Sequence, residues 1–168
     1  MKRRTYLPRL QQGSMLLEAL IAILIFSMGI LALVALQAAS VKLSADAKYR
    51  SDANLLASQL IGQMWASDRT PATLLANFQG GAGTNGALYT TWVADVVSAL
   101  PGVTVGGANQ PVVTVVTQNP VAPSTSISSQ VQIILFWKSP SESASTSNLC
   151  GVSNPAATHC YIAVAQII

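Results

Sequence analysis

The residues of this chain that could carry chemistry lie close together near its C-terminal end. The 168 residues include one histidine and two cysteines, and His159 stands directly before Cys160, with Cys150 earlier in the same segment. A metal site formed by these three residues is one interpretation, but adjacent residues seldom ligate the same tetrahedral ion and no second paired motif is present. We favour a disulfide between Cys150 and Cys160, because the membrane topology derived below from the N-terminal segment places both cysteines on the side away from the cytoplasm, in an oxidising environment.

Enzymatic motifs are missing from the sequence. Any general-base, triad or zinc-hydrolase mechanism would depend on His159, the only histidine. No serine stands in a G-x-S-x-G elbow, and Asp95 falls in a predicted helix without a patterned partner. The glycine-rich run at residues 80–86 lacks the Gly-Lys-Ser/Thr ending of a phosphate-binding loop and is interpreted as a flexible connection. We therefore expect no enzyme activity, no catalytic residue, no cofactor and no bound metal.

The composition limits the class of protein. Hydrophobic residues make up 51% of the chain and charged residues 9%, with a mean hydropathy of +0.45, which excludes a disordered, charge-solvated chain. The length suits one domain with a single core. Four of the nine basic residues stand near the start, at Lys2, Arg3, Arg4 and Arg9. The rest of the chain is nearly neutral, so we expect no nucleic-acid partner.

A long apolar segment follows the basic start. Residues 15–36 carry a single charge, at Glu18, and as a helix they would cover roughly 33 Å, which matches a hydrocarbon core of about 30 Å. Basic residues flank only the N-terminal side, so the positive-inside rule places residues 1–13 in the cytoplasm and the chain after about residue 40 outside. The sequence therefore predicts a single membrane-spanning helix.

Three interpretations of this segment compete. A signal peptide cleaved after its apolar region would have a shorter apolar stretch, of about 7–15 residues, followed by small residues. An uncleaved membrane anchor has no use for a carboxylate, which costs roughly 2.5–3.5 kcal/mol at mid-bilayer. A pilin-type leader, cleaved before the apolar region, accounts for both the length of the run and Glu18, and we favour it.

The residues at the start of the apolar segment carry a resemblance. Gly13, then Ser14 through Glu18, then an apolar run at residues 19–24 resembles the class III signal of type IV pilins and type II secretion pseudopilins. In that family a membrane-embedded prepilin peptidase cuts after the glycine and N-methylates the new first residue, and a glutamate stands fifth in the mature chain. The resemblance implies cleavage between Gly13 and Ser14, N-methylation of Ser14 in place of the usual phenylalanine, and a role in subunit assembly for Glu18.

Elementary electrostatics gives Glu18 a role of its own. Cleavage would leave a charged amine at Ser14, and a filament that packs such helices in an apolar core must neutralise both charges. Glu18 of one subunit could pair with the Ser14 amine of a neighbour. Two milder interpretations stay open: an acid in the first helical turn offsets the helix dipole by roughly 0.3–1 kcal/mol, or Glu18 extends to the lipid headgroups.

The helix is predicted to continue beyond the membrane, from Ser14 to about Ser67, over roughly 80 Å. Hydrophobic residues recur there in two rows, at Leu56, Leu60 and Met64 and, one position on, at Ala57, Ile61 and Trp65. This spacing indicates one helical face against a core. The Thr70-Pro71 pair is expected to end the helix.

The remaining elements are shorter. Residues 89–100 are predicted to form a helix with one apolar face, with a strand as the alternative. β-branched or alternating residues predict strands at Val112–Gln118, 131–138 and 161–168, and residues 139–155 are interpreted as a loop. The tryptophans are predicted to face the core: Trp65, Trp92 and Trp137. The prediction is an α+β fold, in which a small antiparallel meander packs on the amphipathic half of the long helix.

This layout resembles pilin globular domains. Trp137 late in a strand and the sequence His159-Cys160-Tyr161 before the last strand are similar to the PilV group of minor pilins, a resemblance that covers the whole chain. It implies three parts: a leader peptide at residues 1–13, the transmembrane and filament-core half of the helix at residues 14–40, and a periplasmic globular domain at residues 41–168.

The resemblance implies a minor pilin of a Gram-negative type IV pilus. Such a subunit is held in the inner membrane, joins other minor pilins in a priming complex at the pilus tip, recruits the major pilin and supports a large tip adhesin, with roles in adhesion and twitching motility. Prepilin peptidase is the implied processing partner. Two alternatives stay open: a minor pseudopilin of a type II secretion system, and an uncleaved membrane-anchored periplasmic binding module.

Overall fold

The computed structural model describes residues 12–81, 83–118, 127–140, 142–143, 148–153 and 156–168. The helices come first: α1 at Gln12–Ala66, α2 at Pro71–Phe78 and α3 at Ala87–Ala99. The strands follow: β1 at Val112–Gln118, β2 at Ser128–Trp137, β3 at Asn148–Leu149, β4 at Val152–Ser153 and β5 at His159–Ile167. The predicted α+β class is confirmed. Residues 1–11 of the predicted leader lie outside the described residues.

The chain divides into two compact units, Met1–Ser44 and Ala45–Ile168, and α1 contributes to both. In the first unit every side chain from residue 14 to residue 44 is exposed. By length and composition, the helical span Ser14–Ala66 is sufficient to cross a membrane. The predicted helix is therefore present, whereas its insertion and orientation in a membrane stay predictions.

In the second unit, one face of α1 enters a hydrophobic core. The first predicted row is buried: Leu56, Leu60 and Met64. In the second row Ala57 is buried and Ile61 is partly buried, but Trp65 is 44% exposed. A spacing of four residues advances roughly 40° per step around a helix of 3.6 residues per turn, so a row that starts at the centre of the buried face rotates off it. The prediction that Trp65 faces the core is wrong, whereas Trp92 and Trp137 are buried as predicted.

A second helix, α2, begins where the sequence indicates only the end of α1. Pro71 occupies its start, where a missing N–H costs no helical hydrogen bond. The Asp68 carboxylate accepts hydrogen bonds from the Thr70 N–H (3.0 Å) and the Thr73 hydroxyl (3.1 Å). The bond from the Thr70 N–H is the main cause that lowers the pKa of Asp68. The turn before α2 is thus held by polar contacts, and the buried Phe78 side chain anchors its other end in the core.

The short helix predicted from one apolar face is confirmed as α3, and the strand alternative is wrong. It packs on α1 through Trp92, whose indole Nε1 donates a hydrogen bond to the Leu56 carbonyl oxygen (3.0 Å). The Tyr89 hydroxyl donates to the Pro111 carbonyl oxygen (2.6 Å), and burial raises the pKa of this tyrosine. A Cβ atom at Gly80 would overlap the Tyr89 ring, so this close approach requires glycine.

The three longer strands form an antiparallel sheet in the order β1-β2-β5, which confirms the predicted meander. β2 and β5 begin earlier than predicted, and their register pairs Trp137 with His159. The segment predicted as a loop between them also holds the hairpin β3-β4. Its turn residues, Cys150 and Gly151, have positive φ of 53° and 74°, as a tight two-residue hairpin turn requires. Two-residue strands are too short to show a periodicity, which is why the sequence does not indicate them.

Replacement of Leu60 by alanine tests the core position of α1. Leu60 is fully buried, whereas Leu55 on the same helix is 68% exposed. We expect Leu60→Ala to lower the free energy of unfolding by about 2–5 kcal/mol, because it leaves a cavity, and Leu55→Ala to change it by less than about 0.5 kcal/mol. Urea denaturation of the full chain in detergent, followed by tryptophan fluorescence, measures both values. Equal effects of the two substitutions would contradict the packing.

Candidate functional site

The predicted processing residues lie at the start of α1. Gly13 and Ser14 are both within the helix, and Glu18 follows Ser14 by one turn, on the same helical face. The Ser14 and Glu18 side chains are exposed. Their neighbours on that face are apolar: Leu17, Ile21, Ala22 and Ile25. Cleavage after Gly13 and methylation of Ser14 stay predictions.

Glu18 is the one charged residue between positions 14 and 41. Within the described part of the chain its carboxylate has no hydrogen-bond or ion-pair partner. Farther along the helix, the Ser27 hydroxyl donates a hydrogen bond to the Ile23 carbonyl oxygen (2.7 Å). This hydroxyl therefore has its hydrogen-bond partner within its own helix. A carboxylate among apolar side chains has to be satisfied by water, by lipid headgroups or by a positively charged group.

The predicted disulfide is present. Cys150 and Cys160 are bonded, with their Cα atoms 6.2 Å apart, and the bond joins the β3-β4 turn to the start of β5. Both residues pack against a small apolar cluster that includes Phe136 and Ala157. Since the chain has two cysteines and neither is free, the alternative metal site of Cys150, His159 and Cys160 is wrong.

His159 instead contacts two acidic residues. Its Nε2 atom lies 2.8 Å from the Glu142 Oε2 atom and 3.9 Å from the Asp46 Oδ1 atom. The Ser139 hydroxyl donates a hydrogen bond to the same Asp46 oxygen (2.8 Å). We name Asp46, Ser139, Glu142 and His159 the His159 cluster. Ser139 is buried and the other three residues are partly buried, so the cluster is shielded from bulk water on part of its surface.

The sequence offers no signal for the His159 cluster. Its members come from α1, from the segment after β2 and from the start of β5, and the bond from Ser139 to Asp46 spans 93 positions. In the sequence pattern of α1, Asp46 fits the solvent-exposed face of an amphipathic helix. The Ser139 hydroxyl bonds to Asp46 and not to His159, so these residues do not form the serine–histidine contact of a catalytic triad.

Comparison with models of protein families, with characterised proteins and with solved structures found no match for this chain. The resemblance to type IV pilins and pseudopilins therefore rests on the pattern of Gly13, Ser14 and Glu18 and stays a prediction. Any function assigned to the chain has to account for three structural facts. These are the exposed apolar half of α1, the α+β unit that follows it, and the disulfide.

The disulfide is expected to stabilise the second unit. The chain-entropy model gives about 3 kcal/mol for a closed loop of about 11 residues, so the double variant Cys150→Ser, Cys160→Ser should lose that much free energy of unfolding. Reduction provides the control, because it should reproduce the loss in the wild-type protein and change nothing in the variant. Two reactive thiols in the untreated native protein would contradict the prediction.

Proposed function

We propose that this chain is a minor pilin that takes part in the assembly of a type IV pilus. The observation that carries the proposal is Glu18, a carboxylate without a partner in the described chain, on an exposed apolar helix, one turn after the proposed new N-terminus at Ser14. A filament subunit must bring this helix into an apolar core, so both charges must be neutralised there. The proposed ion pair joins Glu18 of one subunit to the Ser14 amine of the next.

The exposed apolar half of α1 supports the same proposal. All its side chains from residue 14 onward are exposed, and Leu16, Phe26 and Leu36 are each more than half exposed. A lipid bilayer would cover this surface before assembly, and the equivalent helices of neighbouring subunits would cover it afterwards. Contacts of this head-to-tail, non-closing kind generate open helical filaments.

The disulfide supports a position outside the cytoplasm for the second unit, because disulfides persist in oxidising compartments. In the proposal, this unit is in the periplasm while α1 is held in the inner membrane, and it reaches the pilus tip after assembly. Its partners are other minor pilins, the major pilin and a large tip adhesin, with prepilin peptidase as the processing enzyme. The role is to prime assembly and to support adhesion and twitching motility.

The mass of the N-terminal peptide tests the processing step. In envelope protein from cells with their prepilin peptidase, we expect a peptide that starts at Ser14, with or without one methyl group. In cells without the peptidase, we expect the intact leader. A peptide that starts at Met1 or Lys2 in both strains would identify an uncleaved anchor and overturn the proposal. Co-purification with secretion components instead of pilus subunits would favour a minor pseudopilin.

Substitution of Glu18 tests the charge pairing. Glu18→Ala should be cleaved normally but enter sheared filaments roughly 150- to 5,000-fold less than the wild type, because removing one partner of a buried ion pair costs about 3–5 kcal/mol and each 1.4 kcal/mol is about tenfold. Glu18→Gln removes the charge at nearly constant side-chain size and should enter filaments as poorly as Glu18→Ala. Ser27→Ala is the matched control, since the Ser27 hydroxyl bonds within its own helix. Normal incorporation of Glu18→Ala would refute the pairing.

A further inference from the structure

The His159 cluster joins three separate parts of the second unit. Asp46 is on α1, Glu142 follows β2, and His159 is the first residue of β5. One potential ligand atom from each of these side chains, two carboxylate oxygens and an imidazole nitrogen, lies within 4.8 Å of the other two. None of these residues takes part in the proposed pairing of Glu18, so their convergence needs a separate explanation.

The distances between the potential ligand atoms of Asp46, Glu142 and His159 suit a single small cation. A tetrahedral zinc ion binds nitrogen and oxygen ligands at about 2.0–2.2 Å, which puts neighbouring ligand atoms roughly 3.3–3.6 Å apart. The Nε2 atom of His159 is 2.8 Å from Glu142 and 3.9 Å from Asp46, so the two distances lie on either side of that spacing. Small side-chain rotations would bring all three atoms around one ion. The hydrogen bond between His159 and Glu142 would then be replaced by two bonds to the metal.

Each of the three ligands is already held by a further contact. The Ser139 hydroxyl donates to Asp46 (2.8 Å) and orients its carboxylate. The ring of His159 stacks on the buried ring of Trp137, with the centroids 5.5 Å apart. The backbone N–H of Glu142 donates to the Ser139 carbonyl oxygen (3.0 Å) and closes a turn. Metal sites depend on such outer contacts, because these fix the orientation of the ligands.

The sequence alone leads to the expectation of no bound metal; from the cluster that the fold assembles, we propose instead that Asp46, Glu142 and His159 bind a divalent first-row transition cation of the Zn²⁺ type, with water as a further ligand. The two carboxylates balance the charge of the ion. The imidazole nitrogen disfavours Mg²⁺ and Ca²⁺, which bind oxygen ligands. Cysteine sulfur does not compete for the ion, because both cysteines are in the disulfide. The bound ion cross-links α1 to the segment between β2 and β5.

Zinc binding to the whole chain tests this proposal. The protein is purified in detergent, without reductant, through a tag that contains no histidine, because a polyhistidine tag or free thiols would themselves bind the ion. After treatment with EDTA and removal of the chelator, calorimetric titration with ZnCl₂ should give one ion per chain. CoCl₂ should give the visible absorption of a tetrahedral cobalt site, and zinc should displace it.

Variants locate the ion. His159→Gln and Asp46→Asn should each weaken zinc binding by more than about 100-fold, and Ser139→Ala by roughly 10-fold, because the serine only orients a ligand. Asp95→Asn, at an exposed acid on α3, is the control and should bind as the wild type does. Zinc should also raise the unfolding temperature of the wild type and leave that of His159→Gln unchanged.

Three results would overturn the proposal. The first is a wild-type chain that binds neither zinc nor cobalt. The second is unchanged binding by His159→Gln, Asp46→Asn and Glu142→Gln, which would locate the ion elsewhere. The third is calcium binding that is as tight as zinc binding and insensitive to His159→Gln. Circular dichroism and a thiol assay identify any variant that has lost the native fold, and the remaining substitutions then decide the outcome.

Discussion

The exposed apolar surface of residues 15–36 is the constraint on which the rest of the structure depends. No described part of its own unit covers this surface, and in the proposed function lipid covers it before assembly and other subunits cover it afterwards. Transfer of the helix from lipid into a filament core gains little hydrophobic free energy, because lipid tails are as apolar as neighbouring side chains. Polar groups must therefore distinguish the two environments, and Glu18 is the only charged residue between positions 14 and 41. For this reason the proposed function depends on the Glu18 carboxylate more than on the many apolar residues around it.

Within the second unit, polar contacts from three elements set the rotation of α1 against its core. The Trp92 indole on α3 bonds to the helix backbone (3.0 Å), and the Tyr161 hydroxyl on β5 donates to the Asn54 side chain (3.0 Å). The Ser139 hydroxyl, after β2, donates to Asp46 (2.8 Å). Hydrophobic packing is non-directional, so the buried stripe alone would tolerate small rotations of the helix. These hydrogen bonds do not tolerate such rotations, because each one requires a particular side chain or carbonyl oxygen at a particular angle.

How much of the molecule the sequence predicts depends on how far each signal extends along the chain. Strand β1 shows its β-branched composition and helix α3 shows its periodicity over a whole element, and the leader pattern at residues 13–18 is complete within two helical turns. Helix α2 has eight residues, and Pro71, a stop signal for one helix, is also a start signal for the next. Trp65 is mispredicted because a four-residue repeat rotates around the helix. The His159 cluster has no local signal at all, because only the tertiary fold brings Asp46 on α1 to His159 on β5.

His159 and Cys160 are the first two residues of β5. They connect the segment between β2 and β5 to opposite faces of the sheet. Successive residues of a strand point to opposite faces, and the register pairs His159 with Trp137 and Cys160 with Phe136. Trp137 belongs to the main core, while Phe136 belongs to the small cluster on which the disulfide packs. Two adjacent strand residues therefore cannot ligate one ion, and each makes a different link, one polar and one covalent. The described part of the segment between β2 and β5 adds no side chain to the main core. Its position therefore depends on these two links, together with the Ser139–Asp46 hydrogen bond (2.8 Å) and the burial of Ala157 in the small cluster.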